Sequence, residues 1–243
     1  MSKTIYVQIN FFGPYIKKED IDDILNPTIE NQKRNHIRNI LESFFGLPVN
    51  ALSKEILERY TDITTEELHL PLVPHTEKIF NRLLKPLKSA KLNYCLGDYL
   101  ATIASCGVAS EMLTILLWKI SDIMLNKKPM TENDEKGLFG KSFEKLIQEK
   151  KLNILKTYGL INNIQYGNFI SIKNSRNHYL HWWNLEIKNE KAEALNIFKK
   201  SLQLFKEITG IGLSKEPGAI KINPLLMKVF DNITDRKNNT DKE

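Results

Sequence analysis

The chain has 243 residues, 42% of them apolar and 9% aromatic, with only 11 Gly and 9 Pro and a formal charge of +6. That length supports a full hydrophobic core, and the scarcity of Gly and Pro argues against a loop-rich all-β fold. The charge suits nucleic acid as a partner, although Lys far outnumbers Arg, and Lys, Asn and Ile abound together, a bias that AT-rich coding alone produces.

From the N-terminus, MSKTIYVQINFFG lacks the apolar block and cleavage site of a signal peptide, so no leader is expected. Within it, Thr4–Gly13 alternates Ile5, Val7, Ile9 and Phe11 with polar residues and predicts a short strand with no obvious partner nearby. KKEDIDDILN predicts a short helix stopped by Pro27, and Thr28 caps a longer one, IENQKRNHIRNILESFFG, ended by Gly46 and Pro48. Residues 50–60 predict another short helix, and TDITTEELHLPLVP a polar connection. His69 and His75 read there as ordinary surface residues.

From His75 the elements lengthen. HTEKIFNRLLKPLKSAKLN predicts a helix kinked at Pro86. Tyr94–Leu125 predicts a long apolar helix stopped near Pro129. Its run LATIASCGVASEMLTILLW is the nearest approach to a membrane span, and Glu111 with several small polar residues makes it a core helix instead. Cys95 and Cys106 would lie about three turns apart on it, too far for a bridge, so both are expected as reduced core residues of a cytoplasmic protein. TENDEKG reads as a polar link, Leu138–Tyr158 as a third helix capped by Gly159, and about Ser171 to Ile187 as a fourth. Glu190–Thr209 is an amphipathic fifth ended by Gly210, and the polar tail from Asp231 is expected to be disordered. The sum is a mainly all-α chain: a four- or five-helix bundle over 76–210, a mixed, mostly helical extension over 1–75, and a C-terminal segment over 211–243.

The fourth helix carries SRNHYLHWWN, in which polar groups crowd against aromatics. At about 100° per residue, Leu180, Trp183 and Ile187 fall within about 40° of Arg176, so Arg176 is expected on the apolar stripe. Asn177, His181, Asn184 and Lys188 form a separate polar arc, and His178 points elsewhere. On the long apolar helix, Glu111 shares its face with Ala104, Val108, Ile115 and Trp118 and is expected to be buried. An ionised buried Glu needs a cation, and Arg176 is the one Arg of the bundle on a core face, so the two are expected to meet. Chemically, His181 titrates near neutral pH and suits general acid–base work. A guanidinium offers bidentate donors to phosphate oxygens, and Asn177 can orient the imidazole or bind a phosphate oxygen. Such a set suits RNA cleavage by its own 2′-hydroxyl, without metal or cofactor, and a symmetric dimer would bring a second His. Trp182 and Trp183 are large enough to anchor that dimer or to stack a base.

Arg176, Asn177 and His181, preceded by FEKLIQEKKLNILKTYGLI and followed by EALNIFKKSLQLFKEI, with Glu111 in a long apolar helix, resemble the Rx4–6H motif of HEPN-domain proteins over about residues 76–210. Many members are dimeric, metal-independent endoribonucleases acting as toxins or defence factors. The resemblance implies catalytic Arg176 and His181, a supporting Asn177, with Glu111, His178 and Trp183 around them, and RNA plus an antitoxin or defence-system partner. Trp183 stands where some members carry a Tyr that can be nucleotidylated, which leaves that form of control without its acceptor. RNH at Arg34–His36 repeats the first motif residues without a His at the required spacing. Two other readings stand beside this one. In the first, the helices form a non-catalytic module that dimerises and binds nucleic acid or a protein, with Arg176 and Glu111 as a structural pair. In the second, His178 and His181 ligate a metal at i and i+3, although no HExxH frame or Cys cluster accompanies them.

Overall fold

The computed structural model describes residues 7–26, 32–68, 70, 72–74, 78–181, 189–213 and 220–226, and its architecture is mainly α-helical. Thr28, His69, His75, Trp182, Trp183 and the tail from Asp231 lie outside the described residues, as does the side chain of His181. The chain divides into two compact units, one made of residues 1–106 with 175–199 and the other of 107–174 with 200–243. This division differs from the sequence-based one, because the first 75 residues share a unit with the helix that follows them.

In the first unit, β1 (Val7–Ile9) is the short strand expected from the alternation. Helix α1 (Ile21–Leu25) follows a single 3-10 turn, and α2 (Gln32–Phe45) ends where Gly46 takes φ +70°. Helix α3 (Lys54–Ile63) opens on Ser53, whose hydroxyl accepts from the Ile56 amide. The partner of β1 is β2 (Leu72–Pro74), antiparallel, with Gln8 opposite Val73. It sits more than sixty residues along, inside the stretch the sequence suggested was a polar connection, so no local pattern revealed it. Helix α4 (Lys78–Leu96) runs through Pro86 and packs against α3.

A correction concerns the start of the long apolar helix. Gly97 takes φ +86°, and the Asp98 carboxylate accepts from the Ala101 amide, so the chain turns there and α5 is Tyr99–Ile120. Tyr94 and Cys95 therefore belong to α4. Apolar residues flank the break on both sides, and the Gly97–Asp98 pair between them is a stop-and-cap signal that hydrophobicity alone passes over. Cys95 and Cys106, now on different helices, are both buried and neither is in a disulfide. Helix α5 is long and apolar enough to cross a membrane, beyond what its sequence suggested, and 56% of its most apolar stretch is buried within the protein.

The floor of the first unit is aromatic and unusual in holding a cation. Lys91 is fully buried; its ammonium donates to the Phe12 carbonyl and lies 4.2 Å from the Tyr60 ring centre and 5.2 Å from that of Phe44. Burial lowers its pKa from 10.5 to about 7. Tyr60 donates to the Pro14 carbonyl at 2.6 Å. Gly13, at φ +82°, passes so close that a Cβ would lie 2.2 Å from the Tyr60 hydroxyl, so both space and backbone demand glycine.

In the second unit, β3 (Met124–Leu125) and β4 (Lys128–Pro129) form a hairpin turned by Asn126 and Lys127 at φ 51° and 64°. The expected polar link is instead α6 (Glu132–Phe139), opened by a capping box between Thr131 and Asp134 and closed by left-handed Gly140. The expected third helix is shortened accordingly to α7 (Gln148–Thr157). Helix α8 (Asn163–His181) begins eight residues earlier than its apolar pattern suggested, whereas α9 (Glu190–Thr209) has the bounds read from the sequence. A short hairpin of β5 (Gly212–Leu213) and β6 (Ile220–Lys221) follows. Trp118 stacks on Phe143 with centres 4.3 Å apart, and Glu135 accepts from the Trp118 indole at 2.6 Å and from the Phe143 amide at 2.7 Å.

Candidate functional site

Helix α8 is set by its first turn. The Asn162 carbonyl oxygen of the side chain accepts from the Gln165 amide at 2.8 Å, and Gln165 returns the bond to the Asn162 amide at 3.0 Å. This reciprocal pair satisfies two donors that a helix start otherwise leaves bare. From there the helix runs unbroken to His181, which fixes Arg176, Asn177 and His181 in relative position by the α-helical repeat alone. Asn177 and His181 are one turn apart at i and i+4.

The buried stripe of α8 is Phe169, Ile172 and Ser175. Arg176, four residues after Ile172 and seven after Phe169, lies along that stripe as expected, half-buried rather than fully enclosed. Asn177 and His178 are exposed, and the His178 and Tyr179 rings meet edge-on at 5.3 Å. On the facing turn of α9, the Glu193 carboxylate accepts from the Ser175 hydroxyl. Burial, then the charges of Glu193 and Glu190, raise the Tyr179 pKa. The end of α8 thus carries the Arg176 guanidinium, the Asn177 amide and the His178 imidazole, with Glu193 of the next helix held by Ser175, all in the first unit.

Glu111 departs from its expected burial. It is half-buried on α5, and Val108 on the same face is 43% exposed. Helix α5 is apolar in nearly every direction, so periodicity could not say which side faced outward. Within the second unit the charge of Glu111 acts on Lys151, whose pKa burial lowers and Glu111 and Glu144 pull back up. Glu111 therefore has an electrostatic neighbour that the sequence reading did not name.

The chain also carries cavities that sequence reasoning missed. One of about 510 Å³ in the second unit is lined by Trp118, Lys119, Glu132, Glu135 and Lys145. Another of about 490 Å³ in the first unit is lined by Lys18, Lys54, Arg59, Asp62 and Lys191. In the latter, Asp62 pairs with Lys18 at 2.8 Å and Lys191 at 3.0 Å, so its cations are already engaged. Among the described residues, no group of three or more His, Cys, Asp or Glu is arranged to hold a metal ion. No protein-family model, curated protein or solved structure matches the chain.

Proposed function

We propose that this protein is a metal-independent endoribonuclease of HEPN type that cleaves RNA by attack of its own 2′-hydroxyl. The observation that carries the reading is that Arg176, Asn177 and His181 share one unbroken helix whose exposed Asn177 and half-exposed Arg176 face solvent. In this reading His181 takes the 2′-hydroxyl proton as general base. The 2′-oxygen attacks the adjacent phosphorus, the P–O5′ bond breaks, and the leaving 5′-oxygen takes a proton from an imidazolium, leaving a 2′,3′-cyclic phosphate. Arg176 holds the charge that builds on the non-bridging oxygens, and Asn177 orients His181 or a phosphate oxygen. The second imidazole comes from a homodimer partner. The setting is cytoplasmic, in stress or antiviral defence, with an antitoxin or defence protein as controlling partner.

The test is incubation of purified protein with mixed single-stranded RNA in EDTA, beside folded His181→Ala and Arg176→Ala of the same oligomeric state. Cleavage by the wild type with cyclic-phosphate ends is expected, reduced about 10²–10⁴-fold in His181→Ala and about 10²–10³-fold in Arg176→Ala. Equal cleavage by wild type and His181→Ala overturns the assignment of the base. Absence of cleavage by all three favours the non-catalytic binding module.

A further inference from the structure

We infer that a small cleft in the first unit, formed by α2, α4 and the turn after β1, binds a phosphate group. The cleft encloses about 210 Å³, and none of its lining residues is an Asp or Glu. Helix α2 contributes His36, Asn39 and Ser43, which recur at the spacing of one helical face and are all exposed. Helix α4 contributes Lys88, and the turn contributes Phe11.

Lys88 carries the argument. Its ammonium is half-buried, 4.8 Å from the centre of the Phe11 ring and 5.7 Å from that of Phe44. Among the described residues no carboxylate pairs with it, and burial alone lowers its pKa. Two aromatic faces hold the charge in place but supply no hydrogen-bond acceptor for its three donors. Elsewhere in the same unit the cleft-lining cations are matched by carboxylates, as Lys18 and Lys191 are by Asp62. The next basic side chain along α4, Lys91, also lies against Phe44 and bonds only a neutral carbonyl. A fixed ammonium, an imidazole, an amide and a hydroxyl around an acid-free cavity form a donor set for a phosphate. The volume is below the range for drug-sized ligands, which suits a phosphate group, free or with the nucleoside that carries it left outside the cleft. Of the RNH stretch at Arg34–His36, it is His36 that lines this cleft. The inference does not rest on the ribonuclease reading, because Arg176, Asn177 and His178 do not line the cleft.

The full-length protein is titrated, at constant ionic strength, with inorganic phosphate and separately with a nucleoside 5′-monophosphate. Binding is read by calorimetry and by the His36 ring resonance, identified among the five His by its absence in His36→Ala. The His36 resonance is expected to move with at least one ligand. Lys88→Met, which keeps an apolar stem against the two rings, is expected to weaken binding at least tenfold, whereas Lys85→Met on the exposed side of α4 leaves it unchanged. Tighter binding of the nucleotide assigns the phosphate to a nucleotide, and equal binding assigns it to the free ion. If Lys88→Met does not fold, His36→Ala takes its place with the same tenfold criterion. A His36 resonance that neither ligand moves, or binding undiminished in the folded cleft variant, overturns the inference.

Discussion

Replacing Lys91 by Met should abolish a rise in stability between pH 7 and pH 9. In the folded protein this ammonium loses its proton at about 7, against 10.5 for an ordinary lysine, because it is fully buried. The unfolded chain therefore binds more protons than the folded one between those values, and stability must rise with pH across that window. Below about pH 7 the group is charged in both states and its burial costs the full amount. At roughly 1.4 kcal/mol for each tenfold in protonation, that amount is about 5 kcal/mol. Between pH 7 and 9 the wild type should recover about 2 kcal/mol of it. Above pH 9 the sign reverses for a neighbour: the Cys95 thiol, pushed up from 9.0 to about 12 by burial, keeps its proton in the folded state while the unfolded chain loses it. The window from 7 to 9 thus belongs to Lys91. Met of similar length removes the charge but leaves the Phe12 carbonyl without its donor, a loss of about 1–3 kcal/mol, and forfeits the ring contacts, about 2 kcal/mol. These losses largely offset the relieved desolvation at pH 7, so Lys91→Met should be close to wild type there and fall behind it by pH 9. Urea unfolding followed by circular dichroism at pH 7, 8 and 9 measures this. A variant whose midpoint rises with pH as steeply as the wild type's would refute the reasoning.

Three further changes probe the packing that supports the clefts and the site helix. Gly13→Ala should cost at least about 3 kcal/mol, combining left-handed strain with the 2.2 Å approach to the Tyr60 hydroxyl. Adding Tyr60→Phe should recover only the steric part, a coupling that a double-mutant cycle in urea would expose. Trp118→Ala removes the partner stacked 4.3 Å from Phe143 and one of the two donors to Glu135, and a loss of about 3–5 kcal/mol is expected in the same assay. Asn162→Ala removes the cap of α8 and should cost about 1 kcal/mol, seen as faster amide exchange over the first turns of that helix. Unchanged exchange there would separate the cap from the helix's stability.

The helices legible in the sequence were those with a clear apolar stripe and a chemical stop. Helix α9 has both: charged residues alternate with its buried Ala194, Ile197, Phe198 and Phe205, and Gly210 follows at φ +62°. The start of α6 carries little apolar signal, and at the start of α8 Gly167 interrupts the apolar residues. The missing signal was polar: Thr131 three residues before Asp134, and Asn162 three before Gln165, each a reciprocal cap. Strand β2 was invisible for a different reason. Three residues, LVP, acquire a strand conformation only by pairing with Val7–Ile9, and nothing local encodes a partner at that distance.

The candidate site divides along the same line. The relation of Arg176 to Asn177 and His181 needs only a continuous helix, and a sequence specifies that well. The expected meeting of Glu111 with Arg176 needed the orientation of two helices, and each was inferred from apolar surroundings. What α5 corrects is the depth: a helix apolar on all sides gives every residue the same apparent burial, and Val108 and Glu111 are not in its core. Lys88 and Lys91 show the converse. Both look like ordinary surface lysines in KPLKSAKLN, yet one is half-buried and the other fully buried, because Phe11, Phe12, Phe44 and Tyr60 arrive from three distant segments to cover them. A charge buried by residues far away in sequence leaves no trace in its own periodicity. Such groups are where a structure adds most to a sequence, and a buried charge with no carboxylate to answer it is a reason to look for the anion that does.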